Sequence, residues 1–314
     1  MKKYSCKTGD KMTKQAKAMI AAVLGYSVCG LSFLFSKKAL LIAEPFILLA
    51  CRFALTVIVL NVMLLFGIIK VKIPKKAIIP AVVLGLVQPV LYFILENYGL
   101  KYTSTSFTGM LSSVSPVFAT VLGVIFLRER PTVKQWRFTV LSIIGVALVS
   151  VGDSGGENTV AGVLCLFGAY LCGAVYNLLA RYLATDLSPF SITYIMFMIG
   201  FAFFTSAAFV MYGGETLPMI ASALREKDFI IPMIYLGAVS SVGAYSLINY
   251  SMGVLPVARA AVFCSVSTIV SVLSGIIIMH DTFSPVNIAA FVLILVGIWG
   301  VNRFAAKEKT EVTK

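Results

Sequence analysis

Along the 314 residues, apolar runs of about 18 to 23 residues alternate with short polar segments, starting near Lys17, Phe46, Ala77, Thr105, Lys134, Thr159, Phe190, Phe229, Val257 and Pro285. A helix rises about 1.5 Å per residue, so each run can cross the roughly 30 Å of hydrocarbon in a bilayer. The pattern predicts an all-α integral membrane protein with ten transmembrane helices, which must satisfy their backbone groups internally because lipid offers no partners.

The pattern repeats. Residues 77–150 align with 229–302 at a constant offset of 152, pairing Pro80 with Pro232, Gly85 with Gly237, Asn97-Tyr98 with Asn249-Tyr250, Ser113-Val114-Ser115 with Ser265-Val266-Ser267, and Gly145 with Gly297. Upstream, an offset of 144 pairs Tyr26 with Tyr170, Lys37 with Arg181, and Pro45-Phe46 with Pro189-Phe190. The change of offset places eight extra residues in the loop at 211–228. Five helices per copy is an odd number, so the second copy must be threaded in the opposite sense. The expected architecture is two inverted five-helix repeats, residues 18–152 and 153–304, between a basic cytoplasmic tail at 1–17 and a second cytoplasmic tail at 305–314.

Composition narrows the class further. Hydrophobic residues make up 59% of the chain and charged ones 12%, so the net charge of +13 resides mainly in loops and tails. There it reads as an orientation signal in the lipid bilayer, the expected partner, and not as a nucleic-acid site. With both termini cytoplasmic, 20 Lys and Arg fall inside and five outside, namely Lys37, Lys38, Lys101, Arg225 and Lys227. A multi-pass cell-membrane protein in this orientation is the expectation, its basic N-terminal tail retained because no cleavage site follows it. The six cysteines form no CxxC pair, and no zinc set, nucleotide loop or nucleophile elbow is present. No enzyme, cofactor or metal is expected.

Candidate functional residues fall on helical faces. Gln88, Tyr92 and Glu96 recur at intervals of four on helix 3, as do Ser241, Tyr245 and Asn249 on helix 8. Such stripes are costly in lipid and point into the protein, either to hydrogen-bond neighbouring helices or to line a cavity. Tyr26 with Cys29, Gly30 and Phe33, and Tyr170 with Gly173, Ala174 and Asn177, set a ring beside small residues in both copies, which suits close packing or a tyrosine-walled cavity. Substrate binding is assigned to Tyr26, Gln88, Tyr92, Glu96, Tyr170, Asn177, Ser241, Tyr245 and Asn249. Ser115, Ala119 and Gly123, with Ser267, Ser271 and Gly275, read instead as packing surfaces joining helices 4 and 9. Arg52 and Glu96, at matching depths, are expected to form an ion pair, with proton coupling the other reading for Glu96. Glu129 and Asp281 read as capping or loop-fixing groups near the starts of helices 5 and 10.

Several stretches resemble the EamA family of the drug/metabolite transporter superfamily: 99–106 (GLKYTSTS), 111–117 (LSSVSPV), 127–132 (LRERPT), Gly145-Val146, and Arg52-Phe53 in helix 2. Where that family often has tryptophan beside glycine or alanine, this chain has Cys29-Gly30 and Gly173-Ala174, smaller residues that enlarge a central cavity. The resemblance implies a ten-helix secondary transporter of a small organic metabolite, an amino acid or related amphipathic solute, and an exporter. The repeat itself implies alternating access between the halves. The alternative is a membrane-embedded lipid-translocating or ligand-binding protein without solute transport.

The orientation yields a first prediction. A single cysteine in the 213–228 loop should react with an impermeant maleimide added to intact cells, while one in the C-terminal tail should not. The opposite pattern reverses the topology.

Overall fold

Short polar side chains decide where the helices begin. This computed structural model describes residues 8–127, 132–151, 158–255, 257–281 and 284–304. They form α1 (Thr8–Leu40), α2 (Pro45–Leu65), α3 (Lys75–Lys101), α4 (105–127), α5 (Val133–Val151), α6 (Val160–Leu183), α7 (Pro189–Tyr212), α8 (Lys227–Val254), α9 (257–279) and α10 (Pro285–Arg303), with a short helix at Thr216–Ala223. Ser104, Thr159, Ser188 and Ser284 each accept a hydrogen bond from the backbone N–H three residues on, at the starts of α4, α6, α7 and α10. Thr132 and Gln135 bond each other's backbone N–H at the start of α5, a reciprocal cap. Proline at the first position of α2, α7 and α10 occupies a site whose N–H has no helical partner in any case.

Seven stretches are long and apolar enough to span a membrane: those in α1, α2, α3, α4, α6 and α8, and Pro189–Ala223, which joins α7 to the short helix. Two shorter apolar stretches lie in α9 (Ser265–Met279) and α10 (Pro285–Val301). The chain is a multi-pass helical membrane protein. The helix of α1 begins at Thr8, so the second part of the segment expected to be a basic tail is helical.

The two halves pack through one another. α1 lies against α8 and α9, and its counterpart α6 lies against α3 and α4; α2 pairs with α7, α4 with α9 and α5 with α10. Lys37 at the end of α1 donates to the carbonyls of Leu100 and Thr103 at 2.7 and 2.6 Å, and Thr159 N at the start of α6 donates to Tyr102 O at 3.1 Å. So α1 ends where α6 begins, and the two run in opposite directions. Phe53 and Phe197, equivalent residues of the two copies, stack at 5.4 Å. Around them Phe93, Phe204 and Tyr245 complete an aromatic core between α2, α3, α7 and α8. Gly145 and Gly297, also equivalent, leave no room for a Cβ, which lets α5 and α10 approach closely.

The structure departs from expectation in two places. Asp281 does not cap α10, whose cap is Ser284, but it does fix its loop: its Oδ2 accepts from Ser106 N at 2.7 Å and so caps α4 of the other half. Glu129 lies outside the described residues. Helix 3 is not continuous either. Gln88 is non-helical (φ −145, ψ 117) inside a wide turn at Leu86–Leu91, next to Pro89, which has no N–H to give. A matching π-type turn, Tyr235–Ala244, interrupts α8 at the equivalent register. Gln88 is therefore turned off the straight stripe, whereas Tyr92 and Glu96 share one face of the regular helix beyond it.

Candidate functional site

Side chains from the interrupted regions of α3 and α8 meet at a central cavity of about 90 Å³. Four repeat-equivalent pairs line it: Tyr26 with Tyr170, Cys29 with Gly173, Phe33 with Asn177, and Ser115 with Ser267. Gln88, Tyr92, Ser112, Tyr176, Tyr245 and Ile248 complete the wall. Aromatic rings, hydroxyls and carboxamides make a surface that suits an organic solute with both apolar and polar parts.

Hydrogen bonds fix the tyrosines. Gln88 Nε2 donates to Tyr245 Oη at 2.5 Å, joining the two interrupted helices through their side chains. Tyr92 donates to Glu96 Oε1 at 2.9 Å and Tyr170 to Thr108 O at 2.7 Å. Tyr176 donates to Asn249 Oδ1 at 2.6 Å, and Asn249 Nδ2 passes the chain on to Thr193 Oγ1 at 2.9 Å. Gln88 Oε1 and Ser240 Oγ, on equivalent residues at the two breaks, are buried without a protein partner among the described residues.

Of the nine residues assigned to binding from sequence, Tyr26, Gln88, Tyr92, Tyr170, Asn177 and Tyr245 line the cavity. Glu96, Ser241 and Asn249 are outside its wall, each bonded to a neighbour. Tyr176, Ser112 and Ile248 line it although the sequence pattern does not include them. Tyr176 and Ile248 lie just off the faces counted on α6 and α8, and Ser112 precedes the serine triplet, so a wider arc around the same faces would take them in.

The expected pairing of Arg52 with Glu96 is not formed. Among the described residues the ion pairs are Lys76 with Asp186 and Lys101 with Glu44. Arg52, fully buried, instead donates from Nε to Ser241 Oγ at 3.1 Å and stacks its guanidinium 4.3 Å from the centre of the Phe93 ring. The ring's quadrupole adds an attraction for the cation, an interaction worth about 2 kcal/mol when desolvated.

The packing set divides. Ser271 donates to Thr105 O at 3.3 Å, Ser112 and Thr268 share a hydrogen bond of 3.0 Å, and a Cβ on Gly109 would collide with Ser271, so α4 and α9 do meet through small residues. Gly275 abuts Ser106 in the same seam. Ser115 and Ser267, however, belong to the cavity wall, because the contact with α9 is made mainly by the first two turns of α4. Ala119 lies in the half of α4 that packs more against α6. The surroundings of Gly123 lie outside the described residues.

Comparison with known proteins then identifies the lineage. The EamA-like transporter family model matches residues 16–151 and again 160–303. The chain belongs to that family. It is 36% identical over 292 residues to the uncharacterized transporter YcxC of Bacillus subtilis, covering 92% of this chain and 94% of that protein. An uncharacterized transporter of Archaeoglobus fulgidus is 24% identical over 291 residues, covering 91% and 99%. A protein of Streptantibioticus cattleyicolor named a probable terminal-alkyne amino-acid exporter is 23% identical over 253 residues, covering 79% and 81%. A solved crystal structure superposes with a TM-score of 0.59 at 16% identity, covering 95% of this chain and 99% of that one, which speaks to the fold alone. The two EamA matches fall on the two halves whose helices interlock around the cavity.

Two glycines of this EamA-type site make contrasting predictions. A Cβ on Gly30 would lie 2.6 Å from the Ser267 carbonyl oxygen, so Gly30→Ala must push α1 off α9 and should cost about 1–3 kcal/mol in a thermal unfolding measurement. At Gly173 the nearest atom is in the Tyr92 ring at 3.5 Å, so Gly173→Ala should leave the midpoint unchanged while narrowing the cavity. Equal shifts in both variants would contradict this packing.

Proposed function

We propose that the protein is a secondary transporter that moves a small organic metabolite, an amino acid or a related amphipathic solute, by alternating access between two inverted five-helix repeats that together supply ten spans. Export from the cytoplasm, with both termini cytoplasmic, completes the reading. The observation that carries it is the cavity wall, built from equivalent residues of both halves beside two helices interrupted at the same register. A proline break in α3 and a π-type turn in α8 at the equivalent register are irregularities of the kind found at functional sites, and membrane-depth backbone tolerates them only where protein or a water-filled cavity covers them. The S. cattleyicolor relative, named for amino-acid export, supports the solute class and the direction.

The cavity of about 90 Å³ has room for several water molecules but falls short of the roughly 300 Å³ at which ligand pockets begin. The conformation described is therefore a contracted one, and the rings must part to admit solute. Tyr92 and Tyr245 are each tied to a polar group of α3, so a movement of that helix carries both rings with it.

A thermal-shift screen of the purified protein against amino acids, polyamines and nucleosides identifies the ligand, since a solute that binds only the folded state raises the unfolding midpoint. With that ligand, alanine at Tyr26, Tyr92, Tyr170 or Tyr245 should lower transport about tenfold, a loss of about 1.4 kcal/mol, with the protein still folded. Unchanged kinetics in all four variants would remove the cavity from the transport path.

Glu96 carries a separate expectation. It is buried and bonded to a cavity tyrosine, so a change in its protonation is read directly by the wall. Replacing it with glutamine should preserve folding and downhill exchange while abolishing pH-dependent concentrative transport. A pH profile identical to the parent's would rule out a coupling role, and loss of folded protein would mark the carboxylate as structural.

A further inference from the structure

A second, larger cavity of about 450 Å³ lies away from the central one, between α2 of the first half and α7 and α8 of the second, roofed by the short helix Thr216–Ala223. Apart from Thr205 and the sulfur atoms of Cys51 and Met233, its wall is hydrocarbon. We propose that it holds one acyl chain of a zwitterionic phospholipid from the surrounding leaflet.

Depth argues for a lipid chain. Along α2 the wall runs from Ala50 to Ile58, about 7 to 20 Å below the helix start at Pro45; along α7 it runs from Phe201 to Phe209, about 4 to 16 Å below Tyr212. On α8 it reaches from Ile230 to Ile234, about 4 to 10 Å below Lys227. All three measures begin at the same end of the bundle and stop near the mid-plane, so the cavity is about as deep as one leaflet's hydrocarbon, roughly 15 Å. Ile58, Phe209 and Ile234 are exposed at its edge, at membrane depth, so it opens sideways to lipid rather than to water.

The roof suits the interface. Leu217 and Ile220 of the short helix, with Leu224 just beyond it, lie at i, i+3 and i+7 and line the cavity from above. Thr216 anchors the helix by donating to Ala208 O at 3.1 Å. This helix falls where the second repeat has its eight extra residues, so the roof belongs to one half only. Directly after Leu224 come Arg225, Glu226, Lys227 and Asp228, all exposed. Two charges of each sign at the mouth match a phosphate and an ammonium in one headgroup. No basic side chain lines the interior, so the site retains a lipid and offers no path for passing a headgroup across.

Occupancy would be felt by the transport machinery. Leu55 forms part of the wall and packs against Gly237, where a Cβ would come within 2.9 Å of its Cδ2. Gly237 lies within the π-type turn of α8, and its carbonyl accepts from Thr56 at 3.0 Å.

The test uses a phosphatidylethanolamine with a diazirine midway along one acyl chain, in vesicles of phosphatidylethanolamine and phosphatidylglycerol containing the full-length protein. Photolabelling should favour peptides bearing Phe201, Thr205 or Ile220 over the one bearing Ile125, an exposed residue of α4 remote from the cavity, by about tenfold, or about 1.4 kcal/mol. In the Ala54→Phe/Thr205→Phe double variant, which fills the cavity, that excess should vanish while labelling at Ile125 stays. Unlabelled phosphatidylethanolamine should compete better than unlabelled palmitic acid or phosphatidylglycerol. Equal labelling of the two regions in the parent protein overturns the proposal whether or not the variant folds. Equal competition by palmitic acid overturns the phospholipid assignment, and equal or stronger competition by phosphatidylglycerol overturns the zwitterionic one.

Discussion

Satisfying the backbone at two interruptions in otherwise apolar helices is the constraint on which the rest of this structure depends. A helix crossing lipid cannot leave carbonyls unpaired without losing several kcal/mol for each. At Gln88-Pro89 and through 235–244 the regular pattern is nevertheless broken. Side-chain donors reach the carbonyls of one turn, whereas the other is held only through a side chain. In α8, Ser241 donates to Leu236 O at 2.7 Å, and Thr56 of α2 reaches across to Gly237 O. In α3 the equivalent of Ser241 is Pro89, which removes a donor altogether, and the neighbouring Gln88 turns its amide to Tyr245. The polar chemistry of the molecule gathers around these repairs, and so does the cavity.

Interlocking of the halves follows from the same constraint. A polar break must be covered by other helices, since an interrupted α3 exposed to lipid would have no means of closing its bonds. α6 covers α3, and α1 covers α8, each from the opposite half. Small residues make that approach possible: a Cβ on Gly30 would lie 2.6 Å from the Ser267 carbonyl oxygen, and one on Gly200 2.6 Å from the Pro89 ring. The arrangement also explains why equivalent residues meet the same space. Phe53 and Phe197 stack on each other because α2 and α7, equivalent helices of the two copies, pack together.

Much of this is legible in the sequence, and the failures lie where the local pattern carries little signal. Helix starts follow from Ser, Thr and Pro at the boundaries of apolar runs, and the gapless match of 77–150 to 229–302 foretells which helices correspond. Tyr26, Tyr92, Tyr170 and Tyr245 reach the cavity because a tyrosine hydroxyl on a helix surrounded by lipid has few other places to go. Depth alone puts Glu96 beside Arg52, whereas the regular helix from Tyr92 onward keeps it on the Tyr92 face, and at Gln88 a wide turn breaks the straight register the spacing assumes. Pro89 inside an apolar run is the available signal; the turn at 235–244 has only Gly237 and Gly243 to announce it. Partners across the bundle, such as Ser106 for Asp281, are 175 positions apart and leave no local trace.

The repeat is close in shape and unequal in chemistry, and that inequality bears on mechanism. Arg52 corresponds to Met196, Glu96 to Ile248 and Gln88 to Ser240, so the buried arginine and glutamate of the described residues both belong to the first half. Were the copies identical, the two extreme conformations of an inverted pair would have equal energy. Here Arg52 stacks on Phe93 and bonds Ser241, and exchanging the roles of the halves would put Met196 in its place, opposite Pro89, with neither charge nor hydroxyl. In the alternating access proposed above, the two conformations would therefore differ in energy. In that mechanism the difference sets how strongly a ligand must prefer the rarer state to populate it. It does not set the direction of net flux, which only a gradient can do.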